Sequence, residues 1–303
     1  MKFSIWPNPE RPPAEVLDLA RMADTEGWHC LWYADHYMPN SGGEDVLPGD
    51  VHECWAMLPA IAAVTERLRI GSLVAPTSVH HPAVLANRAA TIDRISNGRL
   101  VLGIGAGWQI NEHHAYGIDL EEPATRVSRF EEAIQVVRSL LNEDRTDFHG
   151  DFYDITDAPA NPKPVQSPLP ILVGTGSPRM LRITATHADE WNTWGAPDMA
   201  GGALAKLHVA CEQVQRDQAT LWKSTQARVF MSDDADLATN IKAGDMGPRS
   251  IIGSNDQLVD EIARYVELGF DELIIPDFTL GATFKERLDR YAELRAVVLS
   301  TFS

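Results

Sequence analysis

The chain has 303 residues, 44 % hydrophobic and 23 % charged, with 26 Lys and Arg against 43 Asp and Glu for a formal net charge of -17. That balance suits a globular chain with a large core and excludes a disordered one, and the negative surplus excludes nucleic acid and anionic membrane surfaces as partners, since both are polyanions. The three cysteines, Cys30, Cys54 and Cys211, have no CxxC spacing, so neither a disulfide framework nor a metal site is expected.

No apolar run reaches the roughly 20 residues that cross a bilayer. The N-terminal stretch "MKFSIWPNPERPPAE" lacks the long apolar centre of a signal peptide, so a cytoplasmic address is expected.

Eight short apolar or β-branched runs are each followed by a loop and a helical pattern: "KFSIW" (2–6), "CLWYA" (30–34), "RIGSLV" (69–74), "RLVLGIG" (99–105), "LPILVG" (169–174), "EWNTW" (190–194), "ARVFM" (227–231) and "DELIIP" (271–276). This alternation predicts a parallel sheet, and eight units without an internal linker fit a (β/α)8 TIM barrel over residues 1–303 better than a doubly wound sheet. A helix is expected over 83–95, opened by Pro82 and stopped near Gly98. Val127, Phe130, Ile134, Val137 and Leu141 mark one buried helical face, and Ser254/Gln257 and Thr283/Glu286 have capping-box spacing. Two connections are long: 37–52, expected to be a lid, and 143–168, expected to be an insertion whose "TDFHGDFYDI" reads as a hairpin.

Catalytic groups of a barrel sit at the C-terminal ends of its strands. The second run ends at Asp35 and His36, an acid beside an imidazole able to exchange a proton near neutral pH, or simply a solvated strand end. Gly103, Gly105 and Gly107 permit close approach of a flat ligand or tight barrel packing, and their spacing is not a dinucleotide fingerprint. Gly174, Thr175 and Gly176 lead into Ser177 and Pro178, where helix N–H groups suit a phosphate with Arg179 and Arg182 nearby; a capped helix without ligand reads equally well. Trp6, Trp55, Trp108, Trp191 and Trp194 wall a pocket or fill the core, and the pairs His80–His81 and His113–His114 read as loop or packing residues.

In order and content, "LWYADHY" (31–37), "HECWAMLPAIAAVTERLRIGSLV" (52–74), "HPAVLANRAATIDRISNGRLVLGIGAGW" (81–108), "NPKPVQSPLPILVGTG" (161–176), "ADEWN" (188–192) and "GSNDQLVDEIARYVELGFDELII" (253–275) resemble the luciferase-like flavin and deazaflavin oxidoreductases. The "DH" ending resembles members that use coenzyme F420. The resemblance implies that Asp35 binds the deazaflavin ring and that His36 is the proton donor or acceptor accompanying hydride transfer. It puts Leu73 and Val74, with Ala75 after them, at a bulge with a cis peptide bond behind the ring, and Ala106, Gly107 and Asn111 along the ring and ribityl chain. Gly174 to Ser177 would hold the phosphate, with Arg179, Arg182 and Lys163 as basic candidates for the tail, and Trp194 would lie near the cofactor. Trp108 stands where the glucose-6-phosphate dehydrogenase branch has a catalytic glutamate, which implies an apolar or aromatic substrate in a pocket of Trp6, His52, Trp55 and Trp108. The alternative within the family is an FMN-dependent monooxygenase fed by a partner reductase; a homodimer is expected in either case.

Overall fold

The computed structural model describes residues 1–302. Eight parallel strands close a barrel: β1 (Lys2–Trp6), β2 (Cys30–Tyr33), β3 (Arg69–Ser72), β4 (Leu100–Gly105), β5 (Ile171–Gly174), β6 (Glu190–Trp194), β7 (Trp222–Gln226) and β8 (Glu272–Pro276). Closure is seen in the register, where Lys2 to Trp6 of β1 pair with Glu272 to Pro276 of β8, while Cys30 to Tyr33 of β2 pair with Arg69 to Ser72 of β3. Beyond a cis peptide bond between Leu73 and Val74, the chain resumes as the short strand Ala75–Pro76, pairing with Ile104 and Gly105.

Ten α-helices accompany the barrel among the described residues: α1 (Pro13–Glu26), α2 (Cys54–Ala63), α3 (Pro82–Ser96), α4 (Ile110–Tyr116), α5 (Pro123–Asn142), α6 (Pro178–His187), α7 (Pro197–Gln213), α8 (Ala235–Ala243), α9 (Asn255–Leu268) and α10 (Phe284–Glu293). The expected helix starts hold: Pro82 begins α3 and Asn97 ends it in the left-handed region, and both capping boxes form at the starts of α9 and α10. The core has two layers. Strand residues such as Ile5, Leu31 and Ile275 pack outward against the helices, whereas Trp6, Trp32, Leu73, Val101, Leu172 and Ile274 fill the barrel interior.

The seventh strand departs from expectation. Residues 227–231 were expected in the barrel, but Arg228–Met231 pairs with Ser250–Gly253 in a separate parallel two-stranded sheet, and "WKSTQ" of β7 completes the barrel. The reason is polarity. Ser224 is fully buried yet satisfied by Asn192 Nδ2 at 3.0 Å and the Trp191 carbonyl at 3.2 Å, so a buried strand here does not read as apolar.

The 143–168 connection carries the antiparallel hairpin Thr146–His149/Asp154–Ala158. Glu132 of α5 accepts the backbone N–H groups of Asp151, Phe152 and Tyr153 at 2.8, 2.9 and 3.2 Å, and Asp93 of α3 accepts those of Val165 and Gln166. This segment is therefore clamped to two helices rather than hung over the strand ends. No helix among the described residues is long and apolar enough to cross a membrane.

Burial pushes the imidazoles of His29, beneath the barrel, and His187, at the end of α6, below their ordinary value of 6.5. As pH falls below 6.5 the unfolded chain takes up protons that the folded chain refuses. Their contribution is therefore complete above that pH and is lost on acidification toward the lowered folded values. Thermal unfolding followed from about pH 7.5 down to about pH 5.5 should show a falling midpoint, with a shallower fall in His187→Gln. An equally steep fall in the variant would remove His187 from this account.

Candidate active site

An open cleft of about 740 Å³ lies at the C-terminal ends of β2 to β5. Its wall takes Asp35 and His36 from β2, Val74 and Pro76 after β3, Gly105 to Trp108 after β4, and Gly174, Thr175 and Ser177 after β5, with Arg126 and Met180 beyond. A barrel strand ends here because the apolar run gives way to groups the loops can satisfy.

Asp35 is fully buried. Its Oδ2 accepts from Trp55 Nε1 at 2.8 Å and from His80 Nε2 at 2.7 Å, while Oδ1 has no partner among the described residues. His80 Nδ1 faces the Arg88 guanidinium at 3.3 Å; since guanidinium only donates, His80 carries its proton on Nε2 and gives it to the carboxylate. A buried acceptor left bare is costly unless something donates to it, which marks Oδ1 as a position for a ligand N–H or O–H.

His36 stands edge-on to the Trp108 ring, centroids 5.5 Å apart, and its Nδ1 lies 3.0 Å from Glu112 Oε1. Glu112, at the start of α4, also accepts the Tyr37 N–H through Oε2 at 2.9 Å. No protein group among the described residues bonds His36 Nε2, so that nitrogen is left to give or take a proton.

Opposite, the turn after β5 leads into α6. Ser177 is its N-cap residue, yet its side chain makes no capping bond, so the first N–H groups of the helix remain open to an anion. Arg126 supplies the nearby cation, donating to the Gly107 carbonyl at 2.9 Å. The glycines of β4 resolve toward packing: a Cβ on Gly103 would lie 1.9 Å from the Ser72 carbonyl oxygen, and Gly107, at φ +92°, leaves room for Ser78.

Several expected residues lie elsewhere. Asn111 is buried and donates to the carbonyls of Pro39 at 2.8 Å and Asp45 at 3.2 Å, tying down the 37–52 loop instead of lining the cleft. Gly176 is exposed beside the cleft, Ala75 is buried behind Pro76, and Leu73 packs inside the barrel. Arg179 pairs with Glu131 at 2.9 Å, and Lys163 is spent on the carbonyls of Leu140 and Glu143. The Trp6 and Trp194 rings meet at a tilt of 55° within the barrel mouth, centroids 5.4 Å apart, Trp55 stands behind Asp35, and the His52 backbone N–H donates to the Pro9 carbonyl.

A family model described as luciferase-like monooxygenase matches residues 1–242, most of the chain. The chain belongs to the luciferase-like monooxygenase family. Among relatives of this family, an F420-dependent glucose-6-phosphate dehydrogenase of Amycolatopsis mediterranei is 34 % identical over 182 residues, covering 58 % of this chain and 52 % of its own length. The chain thus spans about half the length of that curated relative. A namesake from Microbacterium testaceum is 28 % identical over 304 residues, covering 88 % of each. A solved F420-dependent secondary alcohol dehydrogenase in complex with an F420-acetone adduct superposes with a TM-score of 0.83 at 18 % identity over 98 % of both chains, a likeness of fold.

For a luciferase-like chain the residues missed by sequence reading are Glu112, His80 and Arg126. Glu112 sits beside a histidine pair read as packing, and His113 is indeed packing, held by the Gln109 carbonyl and Ser78. The one available signal was position: a carboxylate in the first turn after β4 lies on the face where barrel sites form.

Proposed function

We propose that this chain is an F420-dependent oxidoreductase that moves a hydride between the deazaflavin C5 and a small apolar or aromatic substrate. The observation that carries the reading is the pair at the end of β2: Asp35 with a buried, partnerless Oδ1, and His36 with a free Nε2. The names of the relatives, F420-dependent dehydrogenases, support the same cofactor.

Asp35, Val74, Ala106 and Gly107 would hold the ring and its side chain, and Gly174, Thr175, Gly176, Ser177 and Arg126 the phosphate. Coenzyme F420, when bound, supplies a ring carbon that exchanges a hydride and reacts poorly with dioxygen. The protein's share is to orient the substrate against Trp108, to exclude water beneath the 37–52 loop, and to hold or release a proton at His36 Nε2.

Charge supports the substrate class. Arg126 is the one Lys or Arg among the described residues of the cleft wall, and it would serve the cofactor's phosphate. The 37–52 loop carries Glu44, Asp45 and Asp50 with no Lys or Arg, whereas Trp108 offers an indole that is 56 % exposed. A second phosphate, as in glucose-6-phosphate, has no cation to meet it; an apolar alcohol or ketone has a surface.

The test is turnover of protein with F420 against a panel of aromatic and secondary alcohols and glucose-6-phosphate, read as loss of the oxidised deazaflavin absorbance. The apolar alcohols should exceed the sugar phosphate in kcat/KM by at least about tenfold. The reverse order would sink the substrate assignment.

A further inference from the structure

The geometry points to Glu112 as the positioning residue of this site: its buried carboxylate holds His36 as the Nδ1–H tautomer and ties it to the root of the 37–52 loop. Its bearing on turnover rests on the F420-dependent reading; the tautomer does not.

Glu112 is 1 % exposed, and each of its oxygens has one protein partner. Oε2 takes the Tyr37 backbone N–H, which can only donate, and Oε1 faces His36 Nδ1. A carboxylate can only accept, so the proton of the second contact belongs to Nδ1. Neutral His36 then presents a lone pair at Nε2, the state required to take a proton from a hydroxyl, and on protonation its Nδ1–H still meets the anion.

The turn that carries Glu112 is tied to the loop. Asn111 Oδ1 accepts the Glu112 N–H at 3.0 Å, while Asn111 Nδ2 grips the Pro39 and Asp45 carbonyls and Gln109 Nε2 donates to the Met38 carbonyl at 3.0 Å. The first turn of α4 and residues 37–45 therefore form one bonded unit. Tyr37, which follows His36 at the root of the loop, occupies the second oxygen of the carboxylate that faces His36.

The test is long-range 1H–15N spectroscopy of protein carrying 15N-histidine, without cofactor and at a pH where His36 is neutral, with the signal assigned by its loss in His36→Asn. The wild type should show the Nδ1–H tautomer. In Glu112→Gln the Tyr37 N–H claims the amide oxygen, the amide NH2 turns to Nδ1, and the proton should move to Nε2. A wild type found as Nε2–H, or a Glu112→Gln protein that keeps Nδ1–H, would overturn the assignment. If the variant does not fold, the wild-type spectrum decides alone. A failed F420 titration would refute the proposed function and leave this result standing. With turnover established, Glu112→Gln should lose at least about tenfold in kcat with little change in KM.

Discussion

Replacing His36 with alanine should lower kcat by roughly 10²- to 10⁴-fold, the usual loss when a general acid or base is removed. His36 is the cleft's one imidazole among the described residues and keeps Nε2 unbonded, and Trp108 and Glu112 fix its plane from two sides. Asp35 cannot stand in, because it is fully buried and Oδ2 already serves Trp55 and His80. The deficit should fall on kcat and leave KM for the substrate close to the wild-type value, since the indole and the loop still bind. Steady-state kinetics on the preferred alcohol checks this; turnover within about threefold of wild type would remove the proton-transfer role.

Gly103→Ala should cost about 3 kcal/mol or more of stability. Its Cβ would lie 1.9 Å from the Ser72 carbonyl oxygen and 3.0 Å from the carbonyl carbon, backbone atoms that cannot rotate aside. The two strands are stitched at this point: Ser72 Oγ donates to the Gly103 carbonyl at 2.8 Å and accepts its N–H at 3.1 Å. Relief would require β3 and β4 to separate directly below the cleft floor. Gly105→Ala is the control: its Cβ meets only the Val74 side chain, at 2.9 Å, so a smaller loss is expected. Denaturant unfolding of both variants decides; a Gly103→Ala midpoint equal to wild type would show that the strands give way freely.

The architecture was readable wherever strands announce themselves by apolar runs. Seven of the eight barrel strands coincide with such runs, and Glu190–Trp194 matches to the residue. The seventh was displaced because "WKSTQ" buries Ser224, Thr225 and Gln226, while the more apolar "RVFM" beside it pairs outside the barrel. In the site, Asp35 and His36 were legible because they end an apolar run. Their partners were not, because Glu112 reaches His36 across 76 positions and His80 reaches Asp35 across 45, pairings that only the closed barrel creates. Asn111 was placed along the ring by the family resemblance alone; its amide is instead spent on two carbonyls of the 37–52 loop. The glycines of β4 had two readings, and the approach of Ser72 favours packing.

The choice of cofactor is decided by a fluorescence titration of purified protein with F420 and, separately, with FMN, at several salt concentrations. F420 should bind tightly, the binding weakened by salt because Arg126 and the α6 terminus meet an anionic group, and FMN should bind weakly. Preference for FMN, with F420 left unbound, would contradict it and return the chain to the flavin-dependent monooxygenases of its family.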